Sequence, residues 1–175
     1  TFQINVPVLV NRSENPVLGV RVAEGECVKA LRLSFGGTTD LADLRAIRVV
    51  RLRPEAEPNE WTQIAAHFGP VRVTSEAVSV SLDQEGVPGP AIFWVLLELS
   101  PSADLAHRVR VRLIDVETEK RAVQVTEESP VLSLRFGYRL RHAGDDGSKG
   151  YRIPGLVQTS TGTLVACYDI RREGN

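Results

Sequence analysis

Apolar and polar residues alternate with a period of two through much of the first 130 residues. Leu31, Leu33 and Phe35 alternate with Arg32 and Ser34, and Val78, Val80 and Leu82 alternate with Ser79 and Ser81. Val109, Val111 and Leu113 alternate with Arg108, Arg110 and Arg112. Successive side chains of a strand point to opposite faces, so each run predicts a strand with one face in a core and one in water. Residues 45–53 and 91–99 are more continuously apolar and predict central strands. Turn residues separate the runs at Glu24-Gly25-Glu26, Gly36-Gly37, Gly69-Pro70 and Gly86-Val87-Pro88-Gly89-Pro90. Only Thr39-Asp40-Leu41-Ala42-Asp43-Leu44 predicts a helical turn, with Thr39 or Asp40 as its cap. Many short strands with regular turns predict an all-β chain built on an antiparallel β-sandwich.

The pattern changes near residue 131. Val131 to Leu140 reads as a last strand or a linking strand, and Ala143 to Gly150 reads as a flexible polar break. Ile153 to Gln158 and Thr163 to Tyr168 then predict two strands around the turn Thr159-Ser160-Thr161-Gly162. The expected boundary lies near residue 133, giving a sandwich over 1–133 and a linker with a hairpin over 134–175. A lone hairpin buries too little surface to stand alone, so it predicts the start of a second domain.

Composition narrows the function. The 175 residues carry 21 basic and 22 acidic side chains, a formal net charge of −1, with 25% charged and 42% hydrophobic residues. That balance is typical of a globular protein and does not favour nucleic acid or an anionic membrane, though the plentiful arginines allow local positive pockets. No run approaches the roughly 18 apolar residues of a membrane span. Thr1-Phe2-Gln3 has no signal-peptide character and reads as a processed or externally defined start. Cys27 and Cys167 lie far apart and read as small apolar strand residues rather than a pair. No Cys/His spacing matches a zinc site. Asn11-Arg12-Ser13 is a formal glycosylation sequon with nothing else pointing to a eukaryotic secretory pathway.

The segment richest in chemistry is Tyr151-Arg152-Ile153-Pro154-Gly155-Leu156, followed by Gly162-Thr163-Leu164-Val165-Ala166 and Tyr168-Asp169-Ile170-Arg171-Arg172. It resembles the Arg-Ile-Pro region that opens the catalytic domain of bacterial exo-sialidases (neuraminidases). Thr38 to Leu44, together with Ile92-Phe93-Trp94-Val95, resembles the β-sandwich that precedes the propeller in a group of these enzymes. The resemblance implies that the sandwich is followed by the first strands of a six-bladed β-propeller, truncated at residue 175. It implies that Arg152 is one of three arginines gripping the sialic acid carboxylate. A planar guanidinium holds a carboxylate by two parallel hydrogen bonds and keeps its charge at any relevant pH. Arg171 matches a second family arginine near the sugar's C4 hydroxyl and is preferred to its neighbour Arg172, which faces the opposite way on a strand.

Such enzymes use a tyrosine nucleophile activated by a glutamate, with an aspartate as general acid/base. By the resemblance these residues lie beyond Asn175, so no catalytic residue is expected within the chain and the chain by itself is expected to be inert. The repeated Ser-x-Asp-x-Gly-x-x-Trp/Thr box of the family is absent from these residues. The implied function is hydrolysis of terminal sialic acids from glycoproteins, glycolipids or oligosaccharides, without cofactor or metal, by a secreted or periplasmic enzyme. Two alternatives remain: a non-catalytic glycan-binding or adhesion protein, and a propeller hydrolase of another acidic sugar.

Other residues have plainer readings. An isolated arginine at a strand start is ordinarily a solvated surface residue, and only its motif makes Arg152 a candidate. Asp169 reads as an ion-pair or turn residue. His67, His107 and His142 have no partner at ligand or triad spacing and read as surface or packed histidines. Asp145-Asp146-Gly147 does not match a calcium-loop spacing and reads as solvated linker. Trp94 reads as core; Trp61 reads as a packed residue, with an exposed sugar contact as the alternative.

Overall fold

The computed structural model describes residues 1–82, 85–119, 122–124 and 131–172. The chain divides into two compact units, Thr1–Tyr138 and Arg139–Asn175. In the first unit the strands are β1 (Val8–Leu9), β2 (Asn15–Val22), β3 (Cys27–Ser34), β4 (Leu44–Leu52), β5 (Ile64–Arg72) and β6 (Ala77–Ser81). They continue as β7 (Val87–Pro88), β8 (Ala91–Leu99), β9 (Arg108–Val109), β10 (Arg112–Thr118), β11 (Ala122–Gln124) and β12 (Leu134–Gly137). The second unit contributes β13 (Gly150–Gln158) and β14 (Leu164–Arg171).

The first unit is an antiparallel β-sandwich. One sheet runs β2-β8-β4-β5; the other runs β11-β10-β3-β6, with β7 also paired to β3. A small sheet, β1-β12-β9, adds a parallel pairing of β1 with β12. The alternation predicted by the sequence is realised where it was clearest: Val78, Val80 and Leu82 are buried, and Ser79 and Ser81 are exposed. Ser34 departs from it. It is buried, and its hydroxyl accepts a hydrogen bond from the Gly36 N–H, a local pairing that makes burial tolerable.

β8 and β4 are the central strands of their sheet, and their continuous apolar runs have a physical reason. Phe93, Val95, Leu97 and Leu99 of β8 face the core shared with the other sheet. The intervening Trp94 and Leu96 face a second cluster on the outer side, with Val50, Leu52 and Ala56. Phe2, Trp61, Ile64 and Ile92 close over that cluster. Trp94 donates its indole N–H to the Pro58 carbonyl at 2.9 Å, and the Phe2 ring meets it edge-on at 5.0 Å. A sheet covered on both faces needs apolar residues at every position.

Polar side chains fasten the ends. Asn15 is buried with every polar atom satisfied: it donates to the carbonyls of Leu9, Arg12 and Leu97 and accepts from the Leu9 N–H. The helical turn is a 3-10 turn, Leu41–Asp43, and Asp40 caps it by accepting from the Ala42 N–H at 2.9 Å.

Candidate functional site

The second unit holds both predicted binding arginines on one β-hairpin. β13 and β14 extend further than the sequence pattern suggested, beginning at Gly150 and ending at Arg171. The turn between them is closed by Thr159 N–H to Thr163 carbonyl at 2.8 Å, with Gly162 at φ +87°. An L side chain rarely adopts that value, so glycine fits the position.

The pairing is regular except beside Arg152. Arg152 lies opposite Asp169, and Gly155 lies opposite Cys167. Ile153 and Pro154 therefore face the single residue Tyr168, which is a β-bulge. Ile153 sits at φ +53°, a left-handed conformation that is costly for a β-branched residue. Proline cannot donate to the ladder, and a bulge is where a strand tolerates one. The Ile-Pro pair thus interrupts the regular register immediately after Arg152 and re-aims the rest of β13.

Cross-strand partners share a face, and so do residues two apart on one strand. Arg152, Asp169 and Arg171 consequently lie on the same face of the hairpin. The Arg171 guanidinium approaches the Asp169 carboxylate at 3.6 Å, the ion-pair role read for Asp169. The sheltered Nε of Arg171 has no hydrogen-bond partner among the described residues. Arg171 paired with Asp169, and the exposed Arg152 on the same face, leave donor capacity for an incoming anion. Arg172 lies just past the strand end and is exposed.

The approach to β13 is an ordered turn rather than a flexible break. A 3-10 turn spans Asp145–Gly147, and the Tyr151 hydroxyl donates to the Asp145 carbonyl at 2.9 Å and to the Asp146 carboxylate at 3.2 Å. Arg141 also pairs with Asp146, and the His142 ring meets the Asp145 carboxylate. Asp145 and Asp146 are therefore committed to protein partners. Tyr151 stacks edge-on against Tyr168 at 5.0 Å. Ile153, Leu156, Val157, Leu164, Val165 and Ile170 are all exposed on the hairpin, the apolar surface of a strand pair without its own core.

Two sequence readings change, and that of Trp61 as a packed residue holds. Cys27 and Cys167 are both free, but Cys167 is exposed on β14 rather than buried as a strand filler. His107 has a close partner: its Nδ1 lies 2.8 Å from the carboxylate of Asp43, which is buried. That hydrogen bond raises the imidazole above its ordinary 6.5 against the opposing cost of desolvation, helped by the charges of Asp43, Asp104 and Asp40. The pair joins the 3-10 turn to the loop before β9, so its role is structural. Trp61 is half-buried against the outer cluster, with the Arg12 guanidinium 4.6 Å above its ring.

Comparison with known proteins agrees with the sandwich. Residues 2–122 match the N-terminal domain of BNR-repeat neuraminidase, and the chain belongs to that family. A curated relative is the sialidase of Bacteroides fragilis (strain YCH46), 28% identical over 195 residues that take in 97% of this chain and 36% of the relative. Among solved structures, the Hadza microbial sialidase Hz136 superposes with a TM-score of 0.79 at 28% identity, covering 95% of this chain and 37% of that one. The chain spans about a third of the length of these relatives.

Proposed function

We propose that this chain is the N-terminal part of a retaining exo-α-sialidase that hydrolyses terminal sialic acids from glycoconjugates. The observation that carries the reading is the bulged Arg-Ile-Pro hairpin. It sets Arg152 and Arg171 on one face, in a chain whose sandwich belongs to the neuraminidase family. On this reading residues 139–175 are the linker and first hairpin of a six-bladed propeller, since the strand β12 before them belongs to the sandwich unit rather than to a linker starting at 134, and the exposed apolar residues of β13 and β14 pack against the later blades.

In the bound complex Arg152 grips the substrate carboxylate by a two-pronged hydrogen bond, fixing the sugar at the moment charge develops. Arg171 presents its guanidinium toward the sugar's C4 side, held in place by Asp169. The tyrosine nucleophile, its glutamate and the acid/base aspartate belong to sequence beyond residue 175. The chain alone is therefore inactive. A neutral phenol suits attack beside the substrate's own carboxylate, which repels an anionic nucleophile. Fixed arginines supply the positive charge, so the reaction proceeds without a cofactor. Because the substrates are extracellular glycans, the enzyme is secreted or periplasmic.

The test is Arg152→Ala in the complete gene product. Loss of a bidentate charged contact costs about 2–5 kcal/mol in kcat/KM while the fold is retained. Near-normal kinetics in a folded variant contradicts the carboxylate-clamp assignment.

A further inference from the structure

The small sheet β1-β12-β9 and the start of β10 turn a file of arginines outward. Val109, Val111 and Leu113 are buried in the main core, so the alternating Arg108, Arg110 and Arg112 lie on the outer side. Across the ladder Leu134 pairs with Val109 in the core, and the next rung sets Arg135 directly opposite Arg108. In extended backbone alternate residues are about 6.6 Å apart and cross-strand neighbours about 5 Å, so the four arginines rise from a patch about 13 Å long. Its base is rigid. The Arg108 N–H donates to the Thr39 hydroxyl at 3.1 Å, and the Arg110 N–H donates to the Thr38 hydroxyl at 3.2 Å. The Thr39 N–H returns a bond to the Arg108 carbonyl at 3.0 Å. The stem of Arg110 lies across Gly37, where an added Cβ would stand 3.1 Å from its Cδ.

The charge here is unbalanced. Like charges directly opposite in a ladder destabilise it, and no described residue relieves this pair. None of Arg108, Arg110, Arg112 and Arg135 is in an ion pair with a described residue, whereas Arg32, Arg45 and Arg48 pair with Asp115, Glu98 and Glu14. Carboxylates on the adjoining turns are engaged elsewhere: Asp43 holds His107, Asp40 caps the 3-10 turn, and Asp104 accepts from the Ala106 N–H. Glu76 stands at the Gly36 turn without reaching ion-pair distance of any of the four. The formal net charge of −1 conceals this concentration.

The composition of the patch selects its partner. A stable protein interface has an apolar centre, and between these arginines lie only Gly37, Thr38 and Thr39. A single-stranded nucleic acid calls for aromatic platforms, and the patch has none. A surface of many separate anions needs only the guanidiniums, which fork onto phosphate oxygens. The turn Asp104–His107, closed by the His107 N–H on the Asp104 carbonyl at 3.0 Å, leads straight into β9 and carries Leu105, 51% exposed. One aliphatic side chain beside clustered arginines suits the boundary between headgroups and acyl chains.

We infer that this arginine face docks the protein on an anionic phospholipid surface, independently of the hairpin arginines and of the sialidase reading. Flotation of the complete gene product with vesicles tests it, comparing an equal mixture of phosphatidylglycerol and phosphatidylcholine with phosphatidylcholine alone. Neither lipid carries sialic acid, so the hairpin site does not contribute. Arg110, Arg112 and Arg135 are exposed, so their joint replacement by Gln leaves the fold intact. The control, Arg21→Gln/Arg53→Gln/Arg72→Gln, removes the same charge from exposed positions outside the patch. The expected result is binding to the anionic vesicles alone, lost at high salt. Affinity falls about a hundredfold in the patch variant, at roughly fivefold per arginine, and only slightly in the control. Equal binding to neutral vesicles, no binding to anionic ones, or the same loss in both variants overturns the inference. Tighter, patch-dependent capture of a single-stranded oligonucleotide overturns the lipid assignment as well. Turnover of a soluble sialoside is unchanged in the patch variant whichever way the vesicles report, so the two readings fail separately.

Discussion

Replacing Trp94 tests whether the sheet β2-β8-β4-β5 is truly covered on its outer face. Trp94 is 1% exposed, yet it points away from the main core, into a cluster roofed by residues of the 53–63 loop and by Phe2. If that cluster is a real core, Trp94→Ala leaves a cavity and costs about 3–5 kcal/mol, the range for large aromatics in packed interiors. For a chain of this size the loss lowers Tm by roughly 6–20 °C. Trp94→Phe keeps an edge-on ring partner for Phe2 but removes the indole N–H from the Pro58 carbonyl. The hydrogen-bond part of its cost is about 0.5–1.5 kcal/mol, with lost contact area in addition. Phe93→Ala, one residue away and facing the opposite side, costs about as much as Trp94→Ala. Urea unfolding monitored by far-UV circular dichroism measures all three without relying on the removed fluorophore. A cost within about 0.5 kcal/mol for Trp94→Ala, the range of surface substitutions, refutes the two-core description of this sheet.

Single contacts yield further expected outcomes. A Cβ on Gly89 meets the Ala23 carbonyl oxygen at 2.1 Å, so Gly89→Ala forces backbone movement and costs about 1–3 kcal/mol in the same unfolding assay; unchanged stability contradicts that close approach. His107 has its imidazole raised above 6.5 in the folded state by Asp43, so its stabilising contribution is complete below pH 6.5 and fades as pH rises through the raised value. The Tm gap between the wild type and His107→Asn is therefore wider at about pH 5 than at about pH 8. Equal gaps at the two values contradict the assignment.

The alternation of Val78, Val80 and Leu82 with serines, and the unbroken apolar runs of β4 and β8, made the sandwich legible, because strand periodicity is a local property. The outer cluster was less so. Trp94 read correctly as core, but nothing local indicates that Phe2 and the 53–63 loop fold over it from distant parts of the chain. The His107–Asp43 contact was invisible for the same reason: it joins residues 64 apart in sequence. At the hairpin the motif marked Arg152 and Arg171. The bulge that lets two residues face Tyr168 emerged only from the pairing register.

The most direct test of the central claim is hydrolysis of a fluorogenic α-sialoside by the complete gene product that contains these residues. Turnover that falls sharply in Arg152→Ala is the predicted result, whereas a folded protein with no turnover contradicts the sialidase reading and points instead to a glycan-binding propeller or a hydrolase of another acidic sugar.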